Sequence, residues 1–332
     1  MNPSREKPPT LRSLAARLGL GVSTVSQALR DSSEIAVETR RRVKLAAEQL
    51  GYVPNRAGVR LRTGKTNIIS LVLNPEDDGS GFFTNMIYGI ADALVGTAYH
   101  LVVTPCSTEN PMAALQHIAE THAADGVIIS RIMPDDPRVR YLHTIGMPFA
   151  THGRTDMGID HCYYDFDNHA YVCEALRQLK ARGRQRAVLF GPPPGLSYAQ
   201  HTLAGFVEGL QASNMQGKVI TTAHSDSDFD HLQKTARTIA LAPNPPDAVI
   251  CSSASEAIAV ASGMASAGRV MGRDYDLVAK PISPLARLAL PRIIGVEEDH
   301  RAAGRELGRM LMAIIAGEDA ATLKMLVAPR AP

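Results

Sequence analysis

The stretch Thr10-Leu-Arg-Ser-Leu-Ala-Ala-Arg-Leu-Gly19-Leu-Gly21-Val-Ser-Thr-Val-Ser-Gln-Ala-Leu29 holds two helical patterns separated by a glycine turn. Leu11, Leu14, Ala15 and Leu18 fall at i, i+3, i+4 and i+7, so the first segment is an amphipathic helix whose apolar stripe needs cover. Thr10 suits its N-cap, because a hydroxyl there accepts from the free amides of the first turn. After Gly19-Leu20-Gly21, Val25 and Leu29 recur one helical turn apart, while Val22, Ser23, Ser26 and Gln27 lie on the other side. The second short helix thus has one face for packing and one small, polar face for another purpose. Val22 also fits the stripe of Val25 and Leu29, so core packing is the competing reading for it. A third segment supplies the cover: Val43, Ala46, Ala47 and Leu50 repeat the spacing, and Gly51 stands where a C-cap belongs.

Two short helices joined by a glycine-containing turn make a helix-turn-helix, whose second helix enters the major groove of DNA. Charge agrees. Residues 1–66 hold 13 Lys or Arg against 5 Asp or Glu, whereas the rest of the chain holds 22 against 28. The overall +2 conceals a basic head on an acidic body, the footprint of phosphate binding.

These residues also carry a resemblance. Thr10-Leu-Arg, Ala15, Gly19, Thr24-Val25-Ser26, Leu29, Thr39-Arg40-x-Arg42-Val43, Ala46, Leu50-Gly51-Tyr52-x-Pro54-Asn55 and Leu61-Arg62-Thr63-Gly64-Lys65-Thr66 follow in the order seen in the head of the lactose-repressor/galactose-repressor (LacI/GalR) family, which the chain resembles. The resemblance implies that Val22, Ser23 and Gln27 face base edges, with Thr10, Thr24 and Ser26 completing the DNA-facing set through phosphates. The chemistry is coherent: Gln bonds an adenine edge, Val touches a thymine methyl, and Ser serves either sense. Gln27 stands where many relatives carry arginine, which shifts base preference, and Ala36 stands where the family often has a capping serine, leaving Glu38 to act through the helix dipole. Beyond Pro54 the resemblance implies a hinge that becomes a short helix on the operator. There Leu61 wedges into the minor groove, and Asn55, Arg56 and Arg60 accompany it. Gly58 and Val59 depart from the usual Ala-Arg, and a glycine costs such a helix roughly 0.5–1 kcal/mol.

The body alternates strands and helices. Ile68–Leu73, Leu101–Val103, Val127–Ile129 and Pro148–Ala150 are short apolar runs with helical stretches between them; a second set begins near Tyr163 with a helix through Ala175, Leu176 and Leu179 and continues through Ala187–Phe190, Val219–Ile220, Ala248–Ile250 and Asp276–Val278. Repeated strand–helix units mean parallel sheets covered on both faces. The expected architecture is α/β: residues 1–54 form a helix-turn-helix head, 55–66 a hinge, and 67–332 a periplasmic-binding-protein-like body of two doubly wound lobes. The first lobe takes about 67–165 and 296–317, the second about 166–295 and 318–332. Leu307, Met310, Leu311 and Ile314 place a helix from about Glu298 to Ile315 in the core or a dimer face.

Ligands of open parallel sheets bind beyond the carboxyl ends of the strands, so the loops there nominate the effector residues. Asp78, Phe82, Arg131, Arg154, Tyr198, Ser253 and Lys280 are chosen by loop position, and Asp167 and Asn168 by resemblance. Three familiar family contacts are replaced by Thr202, by Ser253-Ala254 and by Pro281. Arginine, carboxylate and amide groups with Phe or Tyr suit a sugar; a nucleobase or a phosphorylated metabolite is the alternative effector. No phosphate loop and no Gly-x-Gly-x-x-Gly follows a strand, and His224-Ser225-Asp226 has triad residue types without triad geometry, so no enzyme and no cofactor are expected. A sugar-kinase-like enzyme or a sugar-transport protein is the remaining class. Cys106, Cys162, Cys173 and Cys251 lack metal-ligand spacing, and no apolar run reaches membrane-spanning length. A cytoplasmic homodimer is expected, binding operator DNA and a small effector, without a leucine heptad to make a tetramer.

Overall fold

A computed structural model of the chain describes residues 9–52, 64–74, 82–107, 109–280, 288 and 292–330. It divides into two compact units, Met1–Thr66 and Asn67–Pro332.

In the first unit, α1 (Leu11–Leu18), α2 (Val22–Ala28) and α3 (Val37–Leu50) enclose Leu14, Val25, Ala28 and Val43, all fully buried. Thr10 closes a capping box: its Oγ1 accepts from the Ser13 amide at 3.2 Å while Ser13 Oγ accepts from the Thr10 amide at 2.8 Å. Gly19 ends α1 at φ 65°, a left-handed turn that lets α2 start at once in a new direction. Gly51 does the same for α3 at φ 63°. Ala36 makes no side-chain cap, as its identity dictates, and Glu38 lies in the first turn of α3.

The second unit contains two all-parallel sheets. The six-stranded one has the order β11-β5-β4-β3-β1-β2, comprising β1 (Ile68–Leu73), β2 (His100–Pro105), β3 (Gly126–Ile129), β4 (Phe149–His152), β5 (Cys162–Phe166) and β11 (Lys324–Val327). The five-stranded one has the order β10-β9-β8-β6-β7, comprising β6 (Arg186–Phe190), β7 (Gln216–Ile220), β8 (Ala248–Cys251), β9 (Asp276–Ala279) and β10 (Ile294–Gly295). The inner strands are covered on both faces, which is why β3 and β8 are continuous apolar or small-residue runs with every residue buried, while the edge strands β2 and β7 are largely exposed. Among the described residues no helix is long and apolar enough to cross a membrane.

The helices used below are α4 (Phe82–Leu94), α5 (Ala113–Thr121), α6 (Pro137–Thr144), α7 (Asn168–Ala181), α8 (Ser197–Ser213), α9 (Phe229–Ala240), α10 (Ala254–Ser266) and α11 (His300–Ile315). Helix α11 buries Leu307, Met310 and Leu311 in the core of the first sheet, with Ile314 half-buried. It crosses α4 at backbone contact: a Cβ on Gly89 would strike the Arg301 carbonyl, and one on Gly304 the Met86 carbonyl.

Two placements correct the sequence reading. The second set of elements does not begin near Tyr163, because Cys162–Phe166 is strand β5 of the first sheet, paired with β4, whereas the helix read through Ala175, Leu176 and Leu179 is α7. Of the segment 318–332, expected in the second lobe, Lys324–Val327 joins the first sheet instead, because β11 pairs with β5 from Lys324↔Tyr163 to Val327↔Phe166. Half-buried Met325 and Val327 alternate with exposed Lys324 and Leu326, the pattern of an edge strand laid over the first lobe's core.

Candidate functional site: recognition helix and interlobe cleft

In the head, burial of Val25 and Ala28 fixes which face of α2 turns outward. Val22 is 42% exposed, so it is not part of the core that holds Val25. Ser23 is exposed, Thr24, Ser26 and Gln27 are half-buried, and Thr10 is exposed at its cap. The structure therefore brings Val22, Ser23 and Gln27 to an outward-facing side of one short helix. The Gln27 amide is held: its Nε2 donates to Glu34 Oε2 at 3.0 Å, which uses one of its two N–H donors and leaves the other and the carbonyl oxygen. Asp31, at φ 60°, joins the α2–α3 loop to α3 through Lys44 at 2.6 Å and through its carbonyl, which accepts from Arg40 at 2.9 Å. Asn55, Arg56, Arg60 and Leu61 lie outside the described residues.

In the second unit, strand ends of both sheets meet around a cavity of about 560 Å³, inside the usual range for small-molecule sites. Phe82, Arg131, Asn168, Tyr198, Ser253 and Lys280 line it together. Arg154 and Asp167 are not on its wall. Arg154 pairs with Asp165 at 2.8 Å, and Asp167 N-caps α7, accepting from the Ala170 amide at 2.9 Å. Asp78 lies outside the described residues.

The floor is a buried ionic cluster. Lys280, at the end of β9, sits 3.1 Å from Glu298 and donates to Asn168 Oδ1, while Asn168 Nδ2 donates to the Phe166 carbonyl at 2.8 Å. The ammonium also lies over the rings of Phe166 and Tyr171, with centroids at 4.7 and 5.3 Å. His300 and His152 approach the same carboxylate at 3.4 and 3.8 Å. Burial works to raise the Glu298 carboxyl, but Lys280 and the two histidines hold it well below the usual range. Burial pushes His152 down to about 4, so the ring is neutral near pH 7. Its Nε2 and the Ser197 hydroxyl, both on the cavity wall, are buried polar atoms without a hydrogen-bond partner. Phe82 stands edge-on to both histidines, at 5.1 and 4.7 Å.

Beside the Lys280–Glu298 pair, further ties cross the cleft. Arg131, at φ 56° after β3, meets Asp226 after β7 at 2.6 Å, and the Ile132 carbonyl accepts from the Ser197 amide at 2.8 Å. Arg138 supports the strained turn, donating to the carbonyls of Ser130 and Arg131 at 3.1 and 2.8 Å and pairing with Asp136 at 2.7 Å. On the other side Ser253 caps α10, accepting from the Glu256 amide at 3.2 Å.

Sequence reasoning does not single out Glu298, His300, His152 or Asp226. His152 lies two residues before Arg154, the charge chosen there, and Asp226 stands in the His224-Ser225-Asp226 run noted only for its residue types. Glu298 reads as the start of a helix, whereas it follows the two-residue strand β10 and precedes the Asp299 cap of α11.

Residues 66–326 match the family model described as "Periplasmic binding proteins and sugar binding domain of LacI family", and residues 10–55 match "Bacterial regulatory proteins, lacI family". The chain belongs to the LacI family. It is 31% identical to the HTH-type transcriptional regulator AglR of Rhizobium meliloti over 312 residues, 92% of this chain and 87% of that one. The structure of a transcriptional regulator CelR–cellobiose complex matches 97% of this chain and 98% of its own at TM-score 0.72 and 26% identity. The Lac repressor dimer bound to operator and anti-inducer matches 97% of each chain at TM-score 0.83 and 19% identity, a likeness of fold. This LacI-family chain is accordingly a DNA-binding transcriptional regulator and not an enzyme.

Proposed function

We propose that this LacI-family regulator is a repressor that binds an operator as a homodimer and answers to a neutral sugar in the interlobe cleft. One observation carries the effector class: among the described residues, every Lys or Arg lining the cavity is already matched by a carboxylate. Arg131 has Asp226, Lys280 has Glu298, and Arg301 has Asp92, with N···O distances of 2.6, 3.1 and 2.8 Å. An anionic ligand such as a sugar phosphate would have to break a pair and leave a carboxylate uncompensated, and for a buried pair that costs about 3–5 kcal/mol. A neutral polyol breaks nothing. Its hydroxyls donate to the paired carboxylates and to His152 Nε2, and the Ser197 hydroxyl gains a partner. Phe82 and Tyr198 offer apolar surface for a pyranose face. The family model's description as a sugar-binding domain and the cellobiose-bound neighbour support the same class.

On DNA, Val22, Ser23 and Gln27 read base edges while Thr10, Thr24 and Ser26 set register on phosphates. A two-fold dimer spaces the two recognition helices about 34 Å apart, and the hinge of residues 55–66, with Asn55, Arg56, Arg60 and Leu61, lies between head and body in the chain. The effector acts by favouring one lobe arrangement over another, a coupling of about 1–3 kcal/mol felt equally by sugar and operator.

A thermal-shift screen of the intact protein tests the effector claim, using neutral mono- and disaccharides, sugar phosphates and nucleobases. A neutral saccharide at a hundred times its Kd adds about 2.7 kcal/mol of stability and raises Tm. Gel-shift titration with the same saccharide then shows release of operator, and sedimentation gives two chains. A rise with phosphates or nucleobases alone would overturn the sugar assignment.

A further inference from the structure

Away from the cleft and the head, one side-chain cluster combines three metal-ligand types. His169 and Cys173 lie four residues apart in the first turns of α7, which puts both on one helix face. Helix α8 crosses that face at Gly205, where a Cβ would strike the His169 carbonyl. The close approach brings Glu208, one turn further along α8, over the same spot. His169 Nε2 lies 2.9 Å from Glu208 Oε2, Cys173 Sγ lies 3.9 Å from His169 Nδ1, and one donor atom from each residue falls within 4.8 Å of the other two.

We infer that His169, Cys173 and Glu208 form a surface site for a zinc-class divalent ion. Bonds of about 2.0–2.3 Å to nitrogen, sulfur and oxygen in a tetrahedron separate the donor atoms by roughly 3.4–3.8 Å. The three donor atoms already lie within 4.8 Å of one another, about 1 Å from that spacing. The Cys173 proton leaves to solvent as the thiolate binds, and one ring nitrogen of His169 and one carboxylate oxygen of Glu208 complete the protein ligands. Glu208 has a 69% exposed side chain, so water reaches the fourth position. A thiolate–imidazole–carboxylate set selects zinc, or cobalt as its spectroscopic substitute, over magnesium and calcium, which take oxygen ligands. The site joins α7 to α8 one residue from Asn168, whose amide holds Lys280 at the cleft floor.

The test is titration of the reduced, full-length protein with Co²⁺, followed by Zn²⁺ competition. The expected result is a near-ultraviolet thiolate-to-cobalt band that saturates at one ion per chain and disappears on adding Zn²⁺. Cys173→Ser abolishes the band, and His169→Ala weakens cobalt affinity at least tenfold. Glu208→Gln, an exposed change that leaves the fold intact, also weakens it. Far-ultraviolet circular dichroism confirms that each variant is folded. A saturating band that survives Cys173→Ser, from Cys106 or another thiol, would overturn the assignment, and so would absence of any band at millimolar Co²⁺.

Discussion

At the scale of single residues, the cleft holds two groups whose titration runs in opposite directions. His152 is pushed by burial from its ordinary 6.5 to about 4, so the unfolded chain takes up the proton first as pH falls. Its neutral form is no burden above pH 6.5, and acidification to pH 4 costs the folded state about 3 kcal/mol. Asp165 is raised by burial from 3.8 to about 6, against the pull of Arg154, so the folded state is penalised above pH 6 and regains about 3 kcal/mol as pH falls to 3.8. Urea unfolding at pH 7, 6, 5 and 4 separates the two. Relative to wild type, His152→Gln gains stability on acidification and Asp165→Asn loses it. Equal shifts in both variants would show that neither group titrates as its surroundings require. The sequence shows His152 inside the loop Thr151-His152-Gly153-Arg154 but not its burial, because Glu298, Phe82 and His300 come to it from distant parts of the chain. Periodicity, by contrast, left Val22 open between core and surface, and its 42% exposure resolves that, since the smaller stripe of Val25 and Ala28 is enough to seat α2.

At the scale of elements, helix ends and helix crossings carry the testable consequences. Asp167 belongs to the α7 N-cap, so Asp167→Ala should lower stability by about 1 kcal/mol while leaving effector affinity near the wild-type value. Chemical denaturation and ligand titration check the two halves, and loss of effector binding with unchanged stability would return Asp167 to the cleft. The α4–α11 crossing depends on absent side chains. Gly89→Ala drives a methyl into the Arg301 carbonyl and should cost about 1–3 kcal/mol, read as a lower urea midpoint with unchanged m. Elements were legible in the sequence where a period was clear: α1, α3, β1, β6 and the buried stripe of α11 follow directly from apolar spacing. Strands β5 and β11 were not legible. Cys162-Tyr-Tyr-Asp-Phe166 places a buried aspartate in a strand, tolerable only because Arg154 pairs with it, and Lys324–Val327 is a four-residue edge strand too short to show a period.

At the scale of the molecule, the Arg131–Asp226 pair and the Ile132–Ser197 backbone bond are among the ties that join the lobes in this arrangement. Arg131→Ala removes one of them, the 2.6 Å pair with Asp226, and leaves the Ile132–Ser197 backbone bond. The lobes should then open more readily, raising the radius of gyration of the ligand-free protein in small-angle scattering and weakening effector binding by several-fold. An unchanged scattering curve with unchanged affinity would mean that the pair is only a solvated surface contact, since its side chains are 29% and 31% exposed. The sequence by itself determined the helix-turn-helix head, the basic head on an acidic body, the parallel α/β class of the body and the placing of Arg131, Tyr198 and Lys280 in the segments that follow strands, while Asn168 came from the family resemblance. These follow from local periodicity, caps and charge, which act over a few residues. The tertiary structure alone decided that Arg154 is engaged by Asp165 and Asp167 by the N-terminus of α7, that Glu298 and two histidines gather by Lys280, and that the strand Lys324–Val327 adds an edge to the first sheet. Those outcomes depend on which side chains meet across long separations in the chain, where burial and charge pairing, and not local preference, set the energy.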